Sequence, residues 1–191
     1  MKKAALVIFC ALLMAVGVAA QQSEGVRGNR TKNGPTDARP RQRPYTDEDL
    51  KPEVRDRKER EIELLELQCM DEVNRQREAY GLRPLELSLD LQEVAREYSR
   101  WMAEEKFFSH TDPLGRTVRQ RVTEAGIKWR VLGENLAYSN GYTNPVAASL
   151  RGWMDSPGHR RNILDRAFQK TAVGVWIAAD GTVYFTEIFM Q

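Results

Sequence analysis

Hydrophobic residues change their spacing along this chain of 191 residues. In four segments between about residue 57 and residue 155 they recur every three or four positions, which is typical of helices with one buried face. Residues 172–178 and 182–190 are instead rich in β-branched and aromatic residues, and Ala179-Asp180-Gly181 between them is a typical hairpin turn. Helices followed by a hairpin predict an α+β fold, in which helices pack on an antiparallel sheet.

The spacing predicts four helices, at about residues 57–80, 90–106, 117–125 and 145–155. Gly81 suits the left-handed position that closes the first helix. Asn144 followed by Pro145 is a typical start for the fourth, because asparagine caps a helix and proline fits its first turn. The helix is expected to end at Ser156-Pro157-Gly158.

The first twenty residues are predicted to be a secretory signal peptide. Lys2 and Lys3 precede an apolar run that ends in the small residues Val18-Ala19-Ala20. A transmembrane anchor is the alternative, but a run of about 17 residues is at the short limit for spanning a bilayer. We therefore expect a secreted protein, extracellular or periplasmic, with no transmembrane anchor.

Residues 21–56 are predicted to be a disordered basic arm, because they combine prolines and many charges with almost no large aliphatic side chains. Its arginines could contact an anionic envelope surface or serve only as a solvated linker. The folded domain is then 57–191. Residues 45–191 carry 21 basic and 25 acidic residues, which gives no electrostatic reason to bind nucleic acid.

Loss of the signal peptide would also remove Cys10 and leave Cys69 as the single cysteine of the mature chain. No internal disulfide can then form, so the domain must be stabilised by its core alone. Cys69 lies on the apolar stripe of the first helix. We expect it to be a core residue, with a reactive thiol as the less favoured alternative.

Three polar segments interrupt the periodic pattern, at residues 107–113, 133–137 and 153–164. They contain the two histidines of the chain, His110 and His159, and also Glu134. Brought together, two imidazoles and a carboxylate with an open position would suit zinc or a similar divalent ion, or a general acid/base pair. The intervals of 24 and 25 residues mean that no single helix presents all three.

Structural roles remain open for the same residues. His110 could be a loop histidine hydrogen-bonded by Asp112, and His159 could be a polar cap at a helix end. Glu134 could be a buried carboxylate that binds loop amides, while Asn135 and Trp153 are expected to be structural.

Five short motifs follow one another along the chain, at residues 73–77 with 81–85, 108–110, 133–135, 153–164 and 173–175. Their order resembles that of the CAP superfamily of cysteine-rich secretory, antigen 5 and pathogenesis-related proteins, also called SCP-like domains. The resemblance covers about residues 64–189 and looks like that of a bacterial member. It implies an α-β-α sandwich whose central groove gathers two histidines and two acidic residues and, in some members, holds a divalent cation.

By this resemblance His110, Glu134 and His159 occupy three places of the groove. The nearest match to the fourth is Asp155, which is one methylene shorter than the glutamate of other members. Asn162 joins Asn135 and Trp153 as an expected structural residue. We therefore expect a non-catalytic groove that binds a divalent cation, zinc before others, and a lipid or cell-envelope ligand.

Two alternative functions stay open. One is a metal-assisted or general-base hydrolase of peptide or cell-wall bonds, for which His110, Glu134 and His159 are the candidate catalytic residues. The other is a structural or interaction module in which the polar cluster holds the fold together. The sequence does not indicate an oligomeric state.

Overall fold

The computed structural model describes residues 51–191 and the backbone of residues 5–7. Helix α1 spans Pro52–Ala79, so the predicted domain boundary at residue 57 falls inside it. Pro52 fits because a proline in the first turn of a helix loses no hydrogen bond and has a favourable φ. The predicted cleavage site and most of the predicted arm lie outside the described residues.

The remaining helices are α2 (Leu89–Glu104), α3 (Val118–Glu124), α4 (Pro145–Asp155) and α5 (Pro157–Leu164). Helix α4 begins as expected, since Asn144 Oδ1 accepts a hydrogen bond of 2.9 Å from the Ala147 amide. Helix α5 was not predicted: Pro157 ends α4 but also occupies the first turn of a new helix. Within the described residues, no helix is long and apolar enough to cross a membrane.

Five strands form one sheet in the order β1-β3-β5-β4-β2. They are β1 (Ala5–Val7), β2 (Glu86–Leu87), β3 (Leu132–Asn140), β4 (Lys170–Ile177) and β5 (Val183–Met190). The predicted hairpin is β4–β5, and β3 pairs antiparallel with β5. Strand β1 lies within the predicted signal peptide and pairs with residues 138–140 of β3.

The sheet is mixed, because β2 runs parallel to β4. The expectation of an antiparallel sheet is therefore right for β3, β5 and β4 and wrong for β2. Only two residues of β2 pair, on the path from α1 to α2, so no hairpin turn determines the direction of this strand.

Helices cover both faces of the sheet, as the expected α-β-α sandwich requires. Helices α1, α4 and α5 share one core with Val173 and Phe185, whereas α2 and α3 share another with Ala172 and Ile188. Cys69 is fully buried in the first of these cores. Side chains alternate between the two faces along each strand, so neighbouring residues of β3 reach different layers.

Helix α2 packs unusually close to β4 at Gly174. A Cβ atom on this glycine would lie 2.0 Å from the backbone nitrogen of Arg96, far inside van der Waals contact. Ser99 Oγ donates to the Gly174 carbonyl at 2.9 Å from the same helix. Glycine is therefore required here by the approach of two backbones.

Candidate functional site

Glu134 lies in β3, and its side chain points toward α2 and α3 with only 3% of its surface exposed. Its Oε1 is 2.8 Å from His110 Nδ1, and its Oε2 accepts a hydrogen bond of 2.5 Å from Arg121 Nη2. Both carboxylate oxygens are therefore engaged by side chains. The alternative in which Glu134 binds loop amides is wrong, because the segment is a strand whose amides belong to the sheet.

Arg121, on α3, is the charged partner that sequence analysis missed. Its guanidinium carbon lies 3.4 Å from the centre of the Tyr98 ring, and Nη1 donates to the Arg116 carbonyl at 3.1 Å. Tyr98 in turn donates its hydroxyl to the Ser109 carbonyl, and burial raises its pKa. The helical spacing of α2 predicts only that Tyr98 is buried, and nothing in the pattern around Arg121 distinguishes it from a surface arginine.

His110 follows α2 in a loop, and 46% of its side chain is exposed. Its hydrogen-bond partner is Glu134 and not Asp112, so the alternative of a loop histidine bonded by Asp112 is wrong. Asp112 instead accepts hydrogen bonds from the backbone amides of Leu114 and Arg116. A neutral His110 that donates from Nδ1 to Glu134 keeps the lone pair of Nε2 for another partner.

His159 lies in the first turn of α5 and is 6% exposed. The centres of the His110 and His159 rings are 6.3 Å apart, with 34° between their planes. His159 Nδ1 is buried and has no hydrogen-bond partner in residues 51–191, so the side chain does not cap a helix end through this atom. Burial, with a smaller effect of neighbouring His110, lowers the pKa of His159 to about 4, which keeps the ring neutral at physiological pH.

Two asparagines join α5 to β3. Asn135 Nδ2 donates to the His159 carbonyl at 3.2 Å. Asn162 Nδ2 donates to Asn135 Oδ1 at 2.9 Å and to the Glu134 carbonyl at 3.1 Å. The backbone of His159 is thereby held against the same strand that carries Glu134, so the site spans both faces of the sheet at the edge of β3.

Trp153 supports this edge from α4. The side chain is fully buried, and its Nε1 donates to the Leu136 carbonyl at 2.9 Å. Gly133 lets α5 and the segment after it approach, since a Cβ there would lie 2.9 Å from Phe168 Cζ and 3.2 Å from Asn162 Cγ.

Glu187 is a second acid that sequence analysis did not single out. It lies opposite Asn135 in the sheet and is fully buried. Thr171 Oγ1 donates to its Oε1 at 3.3 Å, whereas Oε2 has no partner within the described residues. Burial raises the pKa of Glu187 to about 8. It was missed because it occupies an otherwise apolar strand.

The structure brings His110, Glu134 and His159 together but gives Asp155 no hydrogen bond or ion pair to any of them within residues 51–191. Asp155 is exposed at the end of α4. In the described part of the chain, no group of three or more His, Cys, Asp or Glu side chains is arranged to hold a metal ion. The donors that fit a cation best are the two imidazoles, because Glu134 already binds His110 and Arg121.

Residues 70–189 match the model of the cysteine-rich secretory protein family, CAP. Two relatives come from Bacillus subtilis (strain 168). The uncharacterized membrane protein YlbC is 33% identical over 155 residues, which are 80% of this chain and 42% of the relative. The uncharacterized protein YkwD is 30% identical over 123 residues, which are 64% of this chain and 46% of the relative.

A solved structure is also similar, that of an extracellular protein containing an SCP domain from Bacillus anthracis strain Ames. Its TM-score is 0.64 at 27% sequence identity, over 74% of this chain and 44% of that one. The chain therefore spans less than half the length of each of these three proteins.

Proposed function

The chain belongs to the cysteine-rich secretory protein family, CAP, and on that premise we propose that it is an exported binding domain whose two histidines take a divalent cation. One observation carries the proposal: the rings of His110 and His159 lie 6.3 Å apart, one half-exposed and the other buried. Two imidazoles so close offer a pair of nitrogen donors. Zinc is the expected ion, since it readily accepts histidine nitrogen.

The protonation of His159 supports this role. Only a neutral imidazole has a lone pair for a metal, and burial holds the pKa of His159 at about 4. Its Nδ1 also lacks a hydrogen-bond partner within residues 51–191. A buried ring nitrogen left unsatisfied costs free energy, and a bond between Nδ1 and an ion would offset part of that cost.

Glu134 has a different role in this proposal from the ligand role that the family resemblance implied. A histidine that binds a metal usually donates its other ring N–H to a carboxylate, which sets its tautomer and orientation. Glu134 Oε1 is 2.8 Å from His110 Nδ1, so Nε2 is left for the ion. Arg121 holds the second oxygen of Glu134, which keeps the carboxylate in this orienting position.

A cation held by two histidines has coordination positions left for an external ligand. We infer that an anionic group of a lipid or cell-envelope component fills them. The relatives support such a location, since one is called a membrane protein and another an extracellular protein. Cys69 does not offer a thiolate nucleophile, because it is fully buried and burial raises the pKa of its thiol.

Zinc titration by calorimetry tests the proposal. The exported chain, stripped with a chelator, should bind one zinc ion. His110→Ala and His159→Ala should each weaken binding more than tenfold, because each removes one of two nitrogen donors. Asp155→Asn is the matched control, because it changes an acid in the same segment but removes neither nitrogen donor. Its zinc affinity should stay within about twofold of that of the native chain.

Three results would overturn the proposal: no zinc binding by the native chain, unchanged binding in both histidine variants, or loss only in Asp155→Asn. Circular dichroism of every variant must show a folded domain. A hydrolase would in addition turn over peptide or peptidoglycan substrates with added zinc, and that activity would disappear in His159→Ala.

A further inference from the structure

A pocket lies between the loop that follows α1 and the loop that follows α5. It has a volume of about 540 Å³ and shares no residue with the histidine site. Three arginines line it, Arg77, Arg83 and Arg166, against one carboxylate, Glu86. A cavity of this size is in the usual range for small-molecule sites, and its charged side chains are predominantly cationic.

Arg77 is the buried member of this set, with 2% of its surface exposed. It donates from Nε to the Arg83 carbonyl at 2.9 Å, and from Nη1 to the carbonyls of Ile163 and Asp165 at 2.7 and 2.8 Å. Among residues 51–191 it forms no ion pair with a carboxylate. The carbonyls at the end of α5 supply only partial negative charge, and burial lowers the pKa of Arg77 although the nearby carboxyl groups of Glu187 and Asp165 act in the opposite direction. This cation is therefore rigidly held and incompletely neutralised.

Arg83 and Arg166 are exposed at the mouth of the pocket. Neither forms an ion pair within the described part of the chain. Residues 77–86 and 160–170 together carry six basic and three acidic side chains, although residues 51–191 as a whole carry 21 and 22. Positive charge is thus concentrated around this pocket on a domain that is otherwise nearly balanced.

The rest of the lining is apolar or neutral, and it includes Leu82, Pro84 and Phe168. Guanidinium groups match the planar, two-point geometry of phosphate and carboxylate oxygens. An apolar wall beside them suits the organic part of an ester. We propose that this pocket binds a phosphate ester, with Arg83 and Arg166 contacting the phosphate oxygens and Arg77 supplying fixed positive charge beneath them.

The test uses the exported chain in the presence of a chelator, so that no metal at the histidines can attract phosphate. Inorganic phosphate and glycerol 3-phosphate are titrated while amide resonances are followed by NMR. Saturable shifts are expected at residues 81–86 and 165–169. Arg83→Gln/Arg166→Gln should reduce the affinity at least tenfold, whereas Arg119→Gln/Arg151→Gln removes the same charge from exposed sites outside the pocket and should change it less than twofold.

A second experiment, with lipid vesicles, distinguishes a lipid headgroup from a free metabolite as the source of the phosphate. Sedimentation with phosphatidylcholine vesicles, with and without phosphatidylglycerol, is measured for the same variants. Binding that depends on phosphatidylglycerol and on the two pocket arginines identifies a lipid headgroup, and binding of the soluble esters alone identifies a free metabolite; either supports the site.

The proposal is overturned if neither probe binds, if both double variants lose binding equally, or if the shifts lie outside these two loops. Zinc affinity, measured separately, should be unchanged in Arg83→Gln/Arg166→Gln. The phosphate site and the histidine site can therefore fail independently.

Discussion

Glu134 and Asn135 are adjacent in β3 but act on opposite faces of the sheet. Glu134 binds His110 and Arg121 on the side of α2 and α3, while Asn135 binds the His159 backbone on the side of α5. The alternation of side chains along a strand thus lets two neighbouring residues gather groups from both helical layers. The two histidines meet because the strand that connects them lies near the edge of the sheet.

The Glu134–Arg121 pair should be important for stability, because both side chains are almost fully buried. Glu134→Gln leaves a guanidinium in the interior without its countercharge, and a loss of roughly 3–5 kcal/mol in the free energy of unfolding is expected. Urea denaturation measures it. A double-mutant cycle with Arg121→Gln should give a coupling above about 1 kcal/mol; a loss below about 1 kcal/mol in the single variant would contradict a structural role.

His159 should make the domain less stable in acid. Its pKa is lowered to about 4 in the folded chain, against about 6.5 when unfolded. The unfolded state therefore takes up a proton first, and stability that is present above pH 6.5 declines as the pH falls toward 4. The decline attributable to this group is at most about 3 kcal/mol, and solvent screening reduces it. His159→Asn should flatten the difference between pH 7.5 and pH 4.5 in urea denaturation; an unchanged slope would refute this.

Glu187 should make the domain less stable as the pH rises. Its pKa is raised to about 8, so the folded state holds a proton that the unfolded chain releases near pH 4.3. Its contribution is complete below that value and is lost as the pH rises through 8. Glu187→Gln should therefore be more stable than the native chain at pH 9, by a few kcal/mol, and nearly equal to it at pH 4. Equal stability at both values would show that Glu187 is already ionised in the fold.

Gly174 and Gly158 form a matched pair for a packing test. Gly174→Ala inserts a methyl group 2.0 Å from the α2 backbone, and a loss of about 1–3 kcal/mol or more is expected from overpacking. Gly158→Ala meets no atom within 4 Å and lies in α5, so it should be neutral or raise stability by up to about 1 kcal/mol. Thermal melting compares them directly, and similar losses in both would contradict the close packing of α2 on β4.

The spacing of hydrophobic residues predicted those helices and strands whose apolar side chains follow a regular pattern along the chain. Helices α2 to α4 and the β4–β5 hairpin were located in this way, and Cys69, expected on the apolar stripe of the first helix, is fully buried. Strand β3 was missed because residues 132–140 contain no β-branched side chain. Helix α5 was missed because proline can begin a helix as well as end one.

The site was only partly predictable, because local sequence patterns do not report contacts between distant elements. His110, His159 and Glu134 were found because histidines are scarce and the surrounding motif is distinctive. Arg121 and Glu187 depend on contacts between elements that are distant in sequence, such as the pairing of Glu187 with Asn135 across two strands. No local pattern reports whether an arginine or a glutamate will be buried.

The hydrogen bonds from Trp153 and Asn162 to carbonyls of β3 have a consequence for solubility. The Leu136 and Glu134 carbonyls would otherwise be open acceptors on an edge of the sheet, and such edges attract strands of other molecules. Here an indole and an amide occupy them. Residues 138–140 are instead paired with β1, so a chain without residues 1–20, the predicted signal peptide, would leave them as a short stretch able to recruit a strand from a neighbouring chain. Aggregation of the chain without residues 1–20 should therefore begin at Tyr138–Asn140, and Asn140→Lys should suppress it.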